Sequence, residues 1–155
     1  MGGVRTEAGP GSEPRRSRRP LSDADYRRLL RLRYGLRRFL RWSEGEARRH
    51  GLTPMQHQLL LAIRGHPDPR GPMIGDVADV LLIRHHSAVG LVDRAEEAGL
   101  VRRRPDPEDH RVVRLALTPL GRRRLDALAA AHLEEIRRLA PWLREALGEG
   151  AAGRG

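Results

Sequence analysis

Thirty basic residues, all of them arginine, and seven histidines supply most of the reactive chemistry of this chain, which has no cysteine. Two short stretches have residue types and spacing that suit one kind of work. Arg84, His85 and His86 stand side by side. "DPEDHR", from Asp106 to Arg111, sets Asp109 next to His110 and Arg111. Guanidinium and imidazole groups donate hydrogen bonds to phosphate oxygens and base edges. A carboxylate at Asp109 can pair with a nearby guanidinium and fix its direction. Both stretches therefore suit contact with a polyanion.

Other chemistries find little support. Adjacent imidazoles on a helix point about 100° apart and do not converge on one ion. No two histidines lie three or four residues apart, so neither a metal nor a cofactor is expected. There is no Walker loop, no GxSxG, no dinucleotide glycine pattern and no HExxH, so an enzyme is not expected. The lack of cysteine excludes disulfides and thiol-based redox sensing and fits a cytoplasmic address. The longest apolar run is "LLLAI", far short of the roughly 20 residues of a membrane span. No apolar segment follows the N-terminal arginines, so they do not read as a secretory signal.

The formal charge of +10 favours a polyanionic partner. An all-arginine choice can also reflect genome base composition, so placement outweighs number. Residues 1–20 hold five Arg against two Glu, whereas residues 74–117 hold seven Arg against eight acids. The stretch expected to read DNA is thus about neutral as a whole.

The elements that must hold these groups follow from periodicity. Residues 1–20, rich in Gly, Pro, Ser and Arg, read as a disordered basic arm. Ser22 and Asp25 have the spacing of a capping box. Tyr26, Leu29, Leu36 and Leu40 then recur at about helical spacing, predicting an amphipathic helix to about Arg49, closed by Gly51. Thr53, Pro54 and Gln56 start a second helix, apolar on most sides and hence central. Ile74, Val77, Ala78 and Leu81 mark one short helix; Val89, Val92 and Ala95 mark another, ended by Gly99. Only Leu82 to His85 separate the two, which is a helix-turn-helix. "LVRRR" and "VVRLALT" flank "PDPEDH" as a hairpin, with Val113, Leu115 and Leu117 on one face. Thr118 and Pro119 open a long helix, and Pro141 is expected to open a last short one, "PWLREAL". Residues 148–155 read as a flexible tail.

A helix-turn-helix followed by a hairpin is a winged helix. Its second helix enters the major groove and the wing reaches the minor groove. Arg84, His85 and His86 then fall at the start of the reading helix. His110 and Arg111 fall at the wing tip, with Asp109 orienting Arg111. Arg102, Arg103 and Arg104 alternate along a strand, so only some can face DNA; Arg103 is the hardest to assign.

In this order the pieces resemble the MarR family of bacterial transcription regulators. The resemblance covers about residues 21–147 and rests on "LTPMQHQLL", "IGDVADVLL", "HHSAVGLVDRAEEAGLV", "DPEDHR" and "LALTPLGRRRL". Two positions depart from the pattern: Ala95 replaces a usual Leu, and Leu82 stands where Gly often marks the turn. The resemblance implies a mainly α fold with a small β-hairpin wing. The winged helix-turn-helix would span about 53–117, with dimerisation helices at about 22–49 and 119–147. It implies a cytoplasmic homodimer that binds a palindromic operator in double-stranded DNA, usually represses, and releases DNA on binding a small effector. It also places Ser87 and Arg94 among the DNA contacts of the reading helix, and Trp42, His57 and His132 where an effector pocket could lie. The alternative is a winged helix used for protein contact without sequence-specific DNA binding, which the neutral charge of residues 74–117 favours.

Overall fold

Ser22 caps the first helix reciprocally: its hydroxyl accepts the Asp25 amide (3.3 Å), and the Asp25 carboxylate accepts the Ser22 N–H (2.8 Å). The computed structural model describes residues 20–147. Helix α1 (Asp23–Arg49) is followed by α2 (Pro54–Arg64), which Thr53 and Gln56 cap in the same reciprocal way. Then come α3 (Ile74–Leu81), α4 (His85–Glu97), β1 (Val101–Pro105), β2 (Val113–Leu117) and α5 (Pro119–Leu147). The chain thus has the expected mainly helical fold with one antiparallel hairpin. The arm expected at 1–20, apart from Pro20, and the tail at 148–155 lie outside the described residues.

The second helix is the hub, packing against α1, α3, α4, α5 and β2. Leu59 and Leu60 of α2, Leu115 of β2 and Leu128 of α5 are fully buried. Each such leucine contributes roughly 2–3 kcal/mol of transfer free energy. Val92 and Ala95 carry α4 onto the same core, with the smaller Ala95 fully enclosed. Between α3 and α4 the chain turns through Leu82, which adopts a left-handed conformation (φ 54°) with its side chain in solvent. A residue with a Cβ pays about 1–2 kcal/mol there. The Ile83 amide donates to the Ala78 carbonyl (3.0 Å), which closes the turn without a glycine.

The hairpin pairs Val101 with Leu117 through to Pro105 with Val113. The loop before α3 lies along the free edge of β2, where the Leu115 amide donates to the Pro72 carbonyl (2.8 Å). Gly71 makes this approach possible: its φ is +89°, and a Cβ would collide with the Leu115 carbonyl. Helix α5 is fixed to the hairpin at its start. The Thr118 amide and hydroxyl donate to the Leu100 carbonyl (3.1 and 3.2 Å), and Gly121 rests on that carbonyl with no room for a side chain.

One expectation needs correction. Pro141 does not open a separate helix; it lies inside a continuous α5. Proline in a helix interior loses one hydrogen bond and costs about 3 kcal/mol or more. Packing offsets this, because Trp142 beyond the proline seats against Gly35 of α1, whose missing side chain makes the space. The apolar stripe on α1 does not face the core of its own chain. Tyr26, Leu29, Leu36 and Leu40 are exposed, whereas the residues α1 buries are Gly35, Ser43 and Ala47.

Candidate nucleic-acid interface

Helix α4 begins at His85, so Arg84 is its cap residue. The Arg84 carbonyl accepts the amides of Ser87 (2.9 Å) and Ala88 (3.1 Å). His85, His86 and Ser87 therefore form the first turn, and all are exposed. Ser87 lies inside the helix and is not its capping serine. The opposite face carries Ala88, Leu91, Val92 and Ala95 into the core. Seven residues separate Ser87 from Arg94, two turns, so both lie on the outward row. Gly90 stands between them. An added Cβ there would be 3.3 Å from Nη1 of Arg94, so the guanidinium of Arg94 lies over the gap that Gly90 leaves. Arg84 and Arg94 make no ion pair with the described residues.

The wing tip is built around a buried carboxylate. Asp106 accepts the amides of Glu108 (2.8 Å) and Asp109 (3.4 Å) and donates its own amide to Val112 (2.8 Å). This tight turn presents Asp109, His110 and Arg111. Asp109 grips Arg111 through both oxygens: Oδ1 accepts Nε and Oδ2 accepts Nη2, each at 3.0 Å. That hydrogen bonding holds the Asp109 carboxyl below its usual range and raises Arg111. The Arg111 side chain remains 90% exposed, aimed outward. An ion pair so exposed adds little stability. What it supplies is direction.

Below the tip lie contacts that sequence reasoning missed. Arg114, nearly buried, donates Nε to Asp106 (2.7 Å) and Nη1 to the Gly71 carbonyl (3.0 Å). Arg70 joins Asp68 (2.9 Å), Glu108 (2.7 Å) and Asp106 (3.4 Å). The amide of Glu108, then Arg114, hold the Asp106 carboxyl below its usual range. Arg103, the hardest strand arginine to assign, bridges Asp93 and Glu96 on α4. It clamps the hairpin to the reading helix, so it has no free face for DNA. Arg103 thus braces the wing against α4.

These pairs account for the neutral charge of residues 74–117. Asp93 and Glu96 belong to Arg103, Asp106 to Arg114, Glu108 to Arg70 and Asp109 to Arg111. Asp76 caps α3 by accepting the Met73 amide (2.8 Å). The acids are largely engaged in fixing the scaffold, while cations remain exposed on α4 and at the wing tip.

A second group of singled-out residues comes together elsewhere, where α1, α2 and α5 meet. The His132 ring lies 4.9 Å from Trp42 and 4.6 Å from His57, centroid to centroid. Its Nδ1 donates to the Leu128 carbonyl (2.9 Å), and its Nε2 shares a hydrogen bond with the Ser43 hydroxyl (2.7 Å). Burial, with His132 beside it, pushes His57 down to about 4, so it is neutral at pH 7.

Comparison with known proteins gives the same picture. The sequence profile of the MarR family matches residues 50–112, from the end of α1 into the wing. A MarR family protein from Bacillus stearothermophilus is 21% identical with a TM-score of 0.66, covering 77% of this chain and 82% of that one. CouR from Rhodococcus jostii RHA1, solved bound to p-coumaroyl-CoA, is 28% identical with a TM-score of 0.57, covering 81% and 78%. MepR of S. aureus, solved as a DNA complex, is 18% identical with a TM-score of 0.62, covering 71% and 78%. No curated protein matches the chain.

Proposed function

Because this chain is a MarR-family winged-helix regulator, we propose that it is a homodimeric repressor that binds a palindromic operator and is released by a small effector. One observation carries the DNA contact. Exposed Arg84, the cap of α4, and Arg94 on its outer row are cations left over after the neighbouring acids have been engaged internally, and Arg111, paired with Asp109, is aimed outward by it. Arg84, His85, His86, Ser87 and Arg94 read or clamp the major groove, and His110 and Arg111 meet the backbone or minor groove. The relative MepR, solved with DNA, supports this use of the fold. The neutral charge that favoured a protein-contact module has another explanation in the internal ion pairs.

The dimer is supported by the exposed apolar residues on α1 and α5, among them Leu36, Leu40, Leu133 and Ile136. Two copies would set the reading helices one DNA turn apart, about 34–36 Å, as a palindrome requires. Trp42, His57 and His132 form the proposed effector contact, at the joint of the two long helices with α2. The bound ligand of CouR supports an organic effector.

The test is binding to the DNA upstream of the chain's own gene, against a scrambled duplex, across a salt series. A preference of about 10³-fold at physiological salt is expected. Arg111→Glu should weaken binding at least tenfold and flatten its salt dependence. Equal affinity for both duplexes, or indifference to Arg111→Glu, would remove the reading.

A further inference from the structure

The arginines of β1 divide between two faces of the hairpin. Arg103 meets Asp93 and Glu96 on α4, so Arg102 and Arg104 on either side of it point to the opposite face. That outer face holds a cavity of about 370 Å³. The end of α2 contributes Arg64, β1 contributes Arg102 and Arg104, and the start of α5 contributes Arg122. Pro69, and Ala116 across from Arg102 in the hairpin, give it a small apolar floor. A second recess of about 430 Å³ shares Arg102, Leu117 and Arg122 and adds Arg123.

The charge here is not balanced from within. Among the described residues the side chains of Arg64, Arg102 and Arg122 have no hydrogen bond or ion pair, and that of Arg104 donates only to the Arg70 carbonyl (2.8 Å). The acid at the rim, Asp68, is held by Arg70 (2.9 Å) and Arg114 (3.3 Å). Arginines from three separate elements thus line one concavity. A solvated face would spread such charges apart, whereas a recess with low-dielectric walls concentrates their potential.

We propose that this cleft is a binding site for a small organic phosphate. The volume lies within the usual range of ligand pockets, about 300–1,000 Å³, and suits a small molecule better than a duplex. A phosphate offers three oxygens and can take guanidinium forks from several directions, while a planar carboxylate is matched by one. The apolar floor accepts a flat organic body beside the charged group. No residue of α4 lines the cleft, so the site is separate from the reading helix and does not rest on the repressor assignment.

Titration calorimetry on the full chain, with ADP and inorganic pyrophosphate as probes at fixed ionic strength, tests this. One saturable site per chain is expected, with ADP the tighter probe. The double variant Arg102→Glu, Arg122→Glu should weaken ADP at least tenfold. Both side chains are exposed, and an unchanged melting curve would show that the variant folds. Arg111→Glu, at the wing tip, should leave ADP binding unchanged while it impairs DNA binding. No saturable binding of either probe overturns the site. Equal affinities for ADP and pyrophosphate overturn the organic part. ADP affinity untouched by the double variant overturns the location. Loss of duplex binding in the double variant, without any nucleotide binding, would assign the arginines to DNA instead.

Discussion

If Arg111 meets DNA as proposed, Asp109 acts through it, so removal of Asp109 should cost less than removal of the arginine itself. Asp109→Asn keeps one acceptor and loses the charge. Operator affinity should fall about three- to tenfold, against a larger loss in Arg111→Ala; equal losses would make Asp109 a contact in its own right. His57 offers a different readout. Its pKa in the folded chain is lowered from 6.5 to about 4, so the unfolded chain binds the extra proton between those values. Stability from this residue is present above pH 6.5 and is lost as pH falls toward 4. The loss should be on the order of 2 kcal/mol at pH 5, read as a lower urea midpoint. His57→Leu should flatten that dependence; an unchanged slope would place the titrating group elsewhere. The Asp109–Arg111 pair was legible in the sequence because its partners lie two residues apart in a turn. Arg103 and Arg114 were not, because their partners lie across the fold. Strand alternation tells which face a side chain takes, and nothing about what waits there.

At the scale of elements, the wing is held by a buried ion pair. Asp106 is 2% exposed and Arg114 11%. Arg114→Met would leave that carboxylate with Arg70 at 3.4 Å as its remaining ion-pair partner. Losing one member of a buried pair costs about 3 kcal/mol. A urea midpoint lowered by that order is expected, together with faster amide exchange at Val112 and Leu115; unchanged exchange would mean that the turn holds itself. Helix limits up to α4 were readable because caps are local: Ser22, Thr53 and Gly99 each act within a few residues. Pro141 misled for the same reason. The local rule says a helix ends there, and Trp142 packed into the space at Gly35 overrides it. Leu82 shows the converse, a left-handed turn accepted without glycine because the flanking helices are anchored by Val77 and Val92.

At the scale of the molecule, the apolar stripe of α1 was located by its period, while its assignment to a partner chain came from the resemblance. Leu36 and Leu40 are 48% and 54% exposed, far more than a core stripe allows. If a second chain covers them, Leu36→Glu with Leu40→Glu should convert a dimer to a monomer in sedimentation and abolish tight operator binding. A wild-type chain that sediments as a monomer at micromolar concentration would refute the dimer. The single-chain sequence could not decide this, since a stripe facing a core and one facing a partner have the same period.

The joint at Leu100 gives α5 a mechanical role. A helix of 29 residues is about 43 Å long. Its first turn is fastened to the strand that leads into the wing, through Thr118 and Gly121, and that strand is riveted to α4 by Arg103. The wing and α4 are therefore fastened as one piece to the first turn of α5, and further along that helix packs against α1 and α2. A swing of about 5° at the far end corresponds to roughly 4 Å of travel over that length. Gearing of this kind needs no hinge within the DNA-reading unit. An event at the distant end of α5 would reach the grooves as a change of pitch.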